Sequence, residues 1–188
     1  MGQGKTASLR TPLSGEALTL LRAGDVVELS GEIITARDAA HKRIVDALAG
    51  NKALPVDLQG KILFYAGPCP AKPSQIIGSI APTTSFRMDA FLEEVYKQGV
   101  SATIGKGPRT AAAAALCAQY KRVYFLSYGG AAALISKQVK RCAVLAYEDL
   151  GAESMKALEM ENMRLVVGID AQGRVFETEQ TAKYRRGG

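Results

Sequence analysis

The sequence predicts an α/β domain whose sheet is mixed, with helices packed against it. Short apolar runs of strand length alternate with longer helical stretches along most of the chain, the pattern of a sheet wound with helices. Both ends add antiparallel character. Residues 25–34 alternate like a half-buried strand, and Asp170-Ala171-Gln172-Gly173 reads as a turn closing a hairpin.

The elements follow in order. In 25–34, Val27, Leu29, Gly31 and Ile33 share one face, with Glu28, Ser30 and Glu32 on the other. Apolar runs at 62–65, 100–104, 123–128, 143–147 and 165–169 read as more fully buried strands, with 174–177 as the hairpin's return. Helical stretches are expected at 36–49, 85–98, 108–119, 130–139 and 153–158. There is no internal repeat, and no linker long enough to split the domain. Residues 9–178 are expected to form it, between a flexible tail at 1–8 and a basic tail at 179–188.

Composition narrows the class. The chain has 188 residues, 47% hydrophobic and 22% charged, enough for one real core. It lacks the roughly 18 consecutive apolar residues of a membrane span. Lys5 and Arg10 precede no apolar stretch, so no secretory signal is read and a cytoplasmic protein is expected. The net charge is +6, but the basic residues are scattered apart from Lys183, Arg185 and Arg186. No zinc finger, RNP-like run or basic heptad accompanies them, which argues against nucleic acid. Cys69, Cys117 and Cys142 are odd in number, far apart and never in a CxxC pair, so no disulfide framework or self-contained metal site is expected. Cys117 and Cys142 read as small buried hydrophobes, and Cys69 as a loop residue.

The helix entries are the informative places. Thr35 reads as an N-cap with Asp38 completing a capping box, which puts Arg37 in the first turn and His41 one turn on. Thr83-Thr84-Ser85 offers hydroxyl caps ahead of Arg87, and Gly105-Lys106-Gly107-Pro108 places a lysine just before the next helix. Cations oppose the helix dipole at such positions, and a bound anion would compensate them. Each arginine alone could equally be exposed or paired with a carboxylate. Three cations at corresponding strand-to-helix loops point instead to an anion site, since such loops line the ligand crevice of open α/β sheets.

Other signals lead nowhere. Gly2-Gln3-Gly4-Lys5-Thr6 ends like a phosphate loop, but it has neither the upstream glycine nor the preceding strand. His41, the single histidine, has no second histidine with which to bind a metal.

As an ordered set, Thr35-Ala-Arg-Asp-Ala-Ala-His41, Tyr65-Ala-Gly-Pro68, Pro82-Thr-Thr-Ser-Phe-Arg-Met-Asp89, Gly105-Lys-Gly107, Gly129-Gly-Ala-Ala-Ala133 and Glu148-Asp-Leu-Gly151 are distinctive. They resemble the beta subunit, or C-terminal domain, of class I iron–sulfur fumarate hydratases and L-tartrate dehydratases. The resemblance implies a swivelling β/β/α domain and a partner alpha subunit in an α2β2 assembly, with a 4Fe–4S cluster carried by that partner. Arg37 and Arg87 then resemble carboxylate-binding arginines, Lys106 a substrate-contacting lysine, and Thr83 a threonine of the proton transfers. Asp38 and His41 would orient Arg37. The implied activity is reversible hydration of fumarate to L-malate. Tartrate or mesaconate as substrate, or a non-enzymatic anion-binding module, are the alternatives. Two departures stand out: Ala81 in place of a glycine before Pro-Thr-Thr, and Met163-Arg164 in place of Phe-Pro.

Overall fold

The computed structural model of the protein describes residues 6–128 and 130–178. Strands β1 (Thr6–Arg10), β2 (Val26–Thr35), β3 (Ile62–Phe64), β4 (Ala102–Gly105), β5 (Val123–Leu126), β6 (Val139–Ala146) and β7 (Met155–Ile169) form one mixed sheet. Neighbours β2, β3, β4 and β5 run parallel. The long β7 runs antiparallel to both β5 and β2, which closes those five strands into a barrel-like ring. Outside the ring, β1 lies parallel to β2 and β6 antiparallel to β7.

The period-two alternation of the strands builds two cores. Ile62 and Phe64 share a cluster with Ala102, Ile104, Val123, Phe125, Val27, Leu29 and Val167, within the ring. The alternate residues Leu63, Tyr65 and Tyr124 point the other way. Over them pack α2 (Asp38–Ala49), α3 (Leu92–Lys97) and α4 (Ala111–Tyr120), through Ile44, Val95, Tyr96 and Cys117. Strands buried on both faces explain the continuous apolar runs at 62–65 and 123–126.

Several expectations need correction. Of residues 153–158 only Glu153 is helical, as the last residue of the 3-10 helix Glu148–Glu153, and β7 begins at Met155. Their Met, Lys, Ala, Leu and Glu favour helix, but pairing with β2 on one side and β6 on the other overrides that preference. Met163-Arg164, just ahead of the strand expected at 165–169, consequently lies inside β7. β6 starts at Val139, so the preceding helix, α5, spans only Ala132–Gln138. Thr6, Ala7 and Ser8 belong to β1 rather than to a tail, and a short helix, α1 (Gly15–Leu20), follows with Ser14 as its cap. The hairpin return is reduced to one bridge, Ile169 to Val175, before the chain turns helical. Residues 1–5, Gly129 and the basic tail 179–188 lie outside the described residues. Of the cysteines, Cys117 is buried as expected, Cys142 is half-buried and Cys69 exposed.

Candidate functional site

The register of the parallel strands brings their C-terminal ends level, with Thr35 beside Phe64, Phe64 beside Ile104 and Gly105 beside Leu126. The chain leaves each strand at one rim of the sheet, where ligand crevices form in α/β proteins. Arg37 and Asp38 leave β2 there, and Lys106 leaves β4. The segment around Thr83 joins them laterally. Its amide donates to the Tyr65 carbonyl at 2.7 Å, Lys106 N donates to Thr83 O at 3.4 Å, and Ser85 N donates to Lys106 O at 3.0 Å. Residues 83–85 therefore run as a short extra strand beside Lys106 and deliver Arg87, on the 3-10 helix Ser85–Phe91, to the same rim.

The charged groups interlock. Arg87 grips Asp38 through two nitrogens, Nε to Oδ1 at 3.0 Å and Nη2 to Oδ2 at 3.1 Å. Its Nη2 also donates to the Thr83 hydroxyl at 2.6 Å. Arg37 reaches Glu153 at 3.2 Å and Asp38 only at 3.8 Å. Asp38 thus orients Arg87 more than Arg37, which corrects the expectation for it. The residue that holds Arg37 is Glu153, a partner distant in sequence that no local motif marks. The ammonium of Lys106 makes no hydrogen bond or ion pair among the described residues. Arg37, Arg87 and Lys106 outnumber Asp38 and Glu153, so the rim keeps a positive charge available to an anion.

The helix entries work differently from the predicted caps. Thr35 is not the cap of α2. Its buried hydroxyl donates to Ser154 O at 3.3 Å and accepts from Lys156 N at 3.0 Å, stitching β2 to β7. Arg37 occupies the N-cap position, but its side chain makes no capping bond, and the Ala39 amide donates instead to Glu153 at 3.1 Å. Glu153 therefore caps α2 from 114 residues away while it pairs with Arg37. Thr84 stands at the entry of the 3-10 helix and makes no capping bond. Pro108 does not open α4; Thr110 does, its hydroxyl accepting from Ala113 N at 3.2 Å. At α2 the compensating anion is a carboxylate of this chain.

His41 is fully buried between Tyr65 and Phe91, with ring centroids 5.4 and 5.8 Å away. Its Nδ1 donates to the Arg37 carbonyl at 2.9 Å, so it steadies the backbone of Arg37 rather than the guanidinium. Burial, helped by the nearby charge of Arg109, lowers its pKa to about 4, which makes it a neutral imidazole near pH 7. Thr83 accepts from a guanidinium, which leaves its own proton free to be donated and favours negative charge on its oxygen. Among the described residues no group of three or more His, Cys, Asp or Glu side chains is placed to hold a metal ion. Cys117 is enclosed against the Tyr96 hydroxyl at 3.4 Å.

Comparison with known proteins gives this rim a context. The sequence matches the family described as the fumarase C-terminus over residues 2–180. The chain belongs to that family. A protein of Methanocaldococcus jannaschii named "Putative L(+)-tartrate dehydratase subunit beta" is 39% identical over 169 residues, which cover 87% of each chain. The L(+)-tartrate dehydratase subunit beta of Escherichia coli K12 is 34% identical over 88% of this chain and 83% of its own length. Fumarate hydratase 1, mitochondrial, of Leishmania major is 34% identical over 80% of this chain, a match that spans 28% of that longer protein. Arg37, Asp38, Thr83, Arg87 and Lys106 of this fumarase C-terminus chain gather at one rim. No helix among the described residues is long and apolar enough to cross a membrane.

Proposed function

We propose that this chain is the beta subunit of a cytoplasmic two-subunit hydro-lyase and binds the carboxylates of fumarate for reversible hydration to L-malate. One observation carries the reading: Arg37 and Arg87 are held at a single rim through Asp38 and Glu153, beside Lys106, whose ammonium has no partner among the described residues. A C4 dicarboxylate presents two planar anions, and guanidinium matches each with a fixed fork where ammonium is a point charge. Asp38 occupies the Nε and Nη2 edge of Arg87, so the Nη1 end is the one left for substrate. Lys106 supplies the third contact.

Hydration adds oxygen to one carbon and a proton to the other, on opposite faces. Thr83 suits the proton side, because Arg87 stabilises its oxygen when the hydroxyl proton departs. Clamping both carboxylates decides which face of the double bond meets Thr83, and positioning of this kind removes several kcal/mol from a barrier, on the order of 5 or more. The oxygen side belongs to the partner. An alpha subunit carrying a 4Fe–4S cluster, in an α2β2 assembly, would supply the Lewis acid.

L(+)-tartrate is the second reading, favoured by the names of the relatives that align along most of their length. The test is co-expression with the alpha subunit, followed by assays on fumarate, L(+)-tartrate and mesaconate with the parent chain and Arg87→Lys. Turnover of fumarate, with Arg87→Lys losing about 2–5 kcal/mol of transition-state binding, is the expected result. Turnover of L(+)-tartrate alone selects the second reading. Undiminished kcat/KM in Arg87→Lys would remove Arg87 from the site.

A further inference from the structure

Beneath the rim lies a buried ion pair that the site described so far does not use. The side chain of Arg109 is fully enclosed and that of Asp89 is 11% exposed. Arg109 Nε donates to Asp89 Oδ1. Its guanidinium lies 5.4 Å from the ring centre of Tyr65 and 4.9 Å from that of Tyr124. Asp89 Oδ2 accepts from the backbone and hydroxyl of Thr110 at 2.9 and 2.7 Å. A buried pair is a costly route to stability, because both ions leave water. What it supplies reliably is a fixed distance between the segments that carry it.

Those segments are the two that carry the cations. Asp89 lies two residues beyond Arg87 on the 3-10 helix, and Arg109 three residues beyond Lys106. Tyr124 adds a second tie. Its hydroxyl donates to Gly107 O at 3.0 Å and accepts from the Ser85 hydroxyl at 2.9 Å. Burial raises the pKa of that phenol, which keeps it a neutral donor. The Lys106 backbone is already bound to Thr83 and Ser85. Its ammonium has no partner among the described residues, so the position of this cation is set through the main chain alone.

We propose that Arg109 is a positioning residue of the dicarboxylate site, tying the Lys106 loop to the helix of Arg87 through Asp89 and Tyr124. The proposal rests on the reading of Arg87 and Lys106 as substrate contacts. It assigns a role to a residue that touches neither the rim nor the substrate.

The test is a double-mutant cycle in the assembled two-subunit enzyme, with fumarate as probe, or L(+)-tartrate if that is the compound turned over. Arg109→Lys keeps the charge and loses the Nε donor to Asp89 and the planar group over Tyr65 and Tyr124. Asp89→Asn keeps the shape and loses the charge. Each is made alone and together with Lys106→Met, and each assembly is checked by thermal melting. The expected result is a KM raised about fivefold or more and kcat/KM cut about tenfold for either change alone. In the Lys106→Met background the same changes should cost less than about twofold, because the cation they position is gone. A merely structural fault would lower the active fraction, and hence kcat, while KM stayed at the parent value.

Unchanged KM in both variants, or losses that multiply fully with Lys106→Met, would overturn the proposal alone. If Lys106→Met itself behaves like the parent, the reading of Lys106 as a substrate contact fails, and this proposal with it. Failure of both Arg109→Lys and Asp89→Asn to assemble would assign the pair to folding and overturn the proposal as well.

Discussion

His41 should make the stability of this domain fall steeply in mild acid. The imidazole is fully buried with an apolar ring on either side, and its pKa drops from 6.5 to about 4. The folded state therefore prefers the neutral ring. Below pH 6.5 the unfolded chain takes up a proton that the folded chain refuses until about pH 4. The stability contributed by this group is complete above pH 6.5, is lost as pH falls between 6.5 and about 4, and changes no further below that. Each pH unit across the window costs about 1.4 kcal/mol, so the whole effect is about 3 kcal/mol. Against a typical domain stability of about 5–15 kcal/mol that is a large share.

Carboxylates titrate over part of the same range, so the measurement is a difference. His41→Phe keeps a ring between Tyr65 and Phe91 and cannot titrate. It gives up the Nδ1 bond to Arg37 O, but that carbonyl still accepts from the amide of residue 41 at 2.9 Å. The pH-independent cost should be about 1 kcal/mol. Urea unfolding of both proteins from pH 7.5 to 4.5 should show the parent losing about 2–3 kcal/mol more than His41→Phe. Parallel stability curves for the two proteins would refute the reasoning and show that His41 accepts a proton in the folded state as readily as in the unfolded one.

Two further changes probe the rim. Glu153→Gln retains an acceptor for the Ala39 amide but loses the charge facing Arg37, so about 0.5–1 kcal/mol should be lost in thermal melts, whereas Glu153→Ala, which also removes the cap, should lose about 1–2 kcal/mol. Equal losses would mean that Glu153 does not cap α2. In Gly105→Ala the new Cβ would meet the Ser85 oxygen at 1.9 Å and a Tyr65 ring carbon at 2.9 Å. The loop must shift to relieve that overlap, so a loss of about 1–3 kcal/mol is expected in urea titrations, and a protein of unchanged stability would show that the Ser85 contact is slack.

Much of the sheet was legible because its strands carry their burial in local pattern. Runs such as Ile62–Phe64 and Val123–Leu126 are apolar on both faces, the second bounded by Arg122 and Ser127. The positions of Arg37, Arg87 and Lys106 were legible for a related reason, since strand-to-helix boundaries can be located from the chain itself. Their partners were not. Thr35 looks like a cap, and only the approach of Ser154 and Lys156 turns it into an interstrand stitch. The Asp89–Arg109 pair joins residues 20 apart whose burial depends on where α4 packs. β1 was missed because Thr6–Arg10 is half polar and gains strand structure only from its pairing with β2.

The largest misreading and the largest omission at the rim fall at the same place, and that coincidence has a physical basis. Residues 153–158 carry helix-forming side chains, yet the helix ends at Glu153 and the chain from Met155 is a strand that must run between β2 and β6. Glu153 ends the 3-10 helix that leads into that strand, with Ser154 accepting from Thr35 and Glu153 accepting from the start of α2. Local preference is overruled just after Glu153, where the switch from helix to strand fixes its carboxylate in space. There it both caps a helix that has no cap of its own and neutralises an arginine that would otherwise oppose that helix's dipole. Conflict between local and global signals is expected at functional sites, where the geometry serves something besides the nearest neighbours. On that argument Glu153 belongs with the proposed site residues, as the group that holds Arg37 ready for a carboxylate from outside the chain.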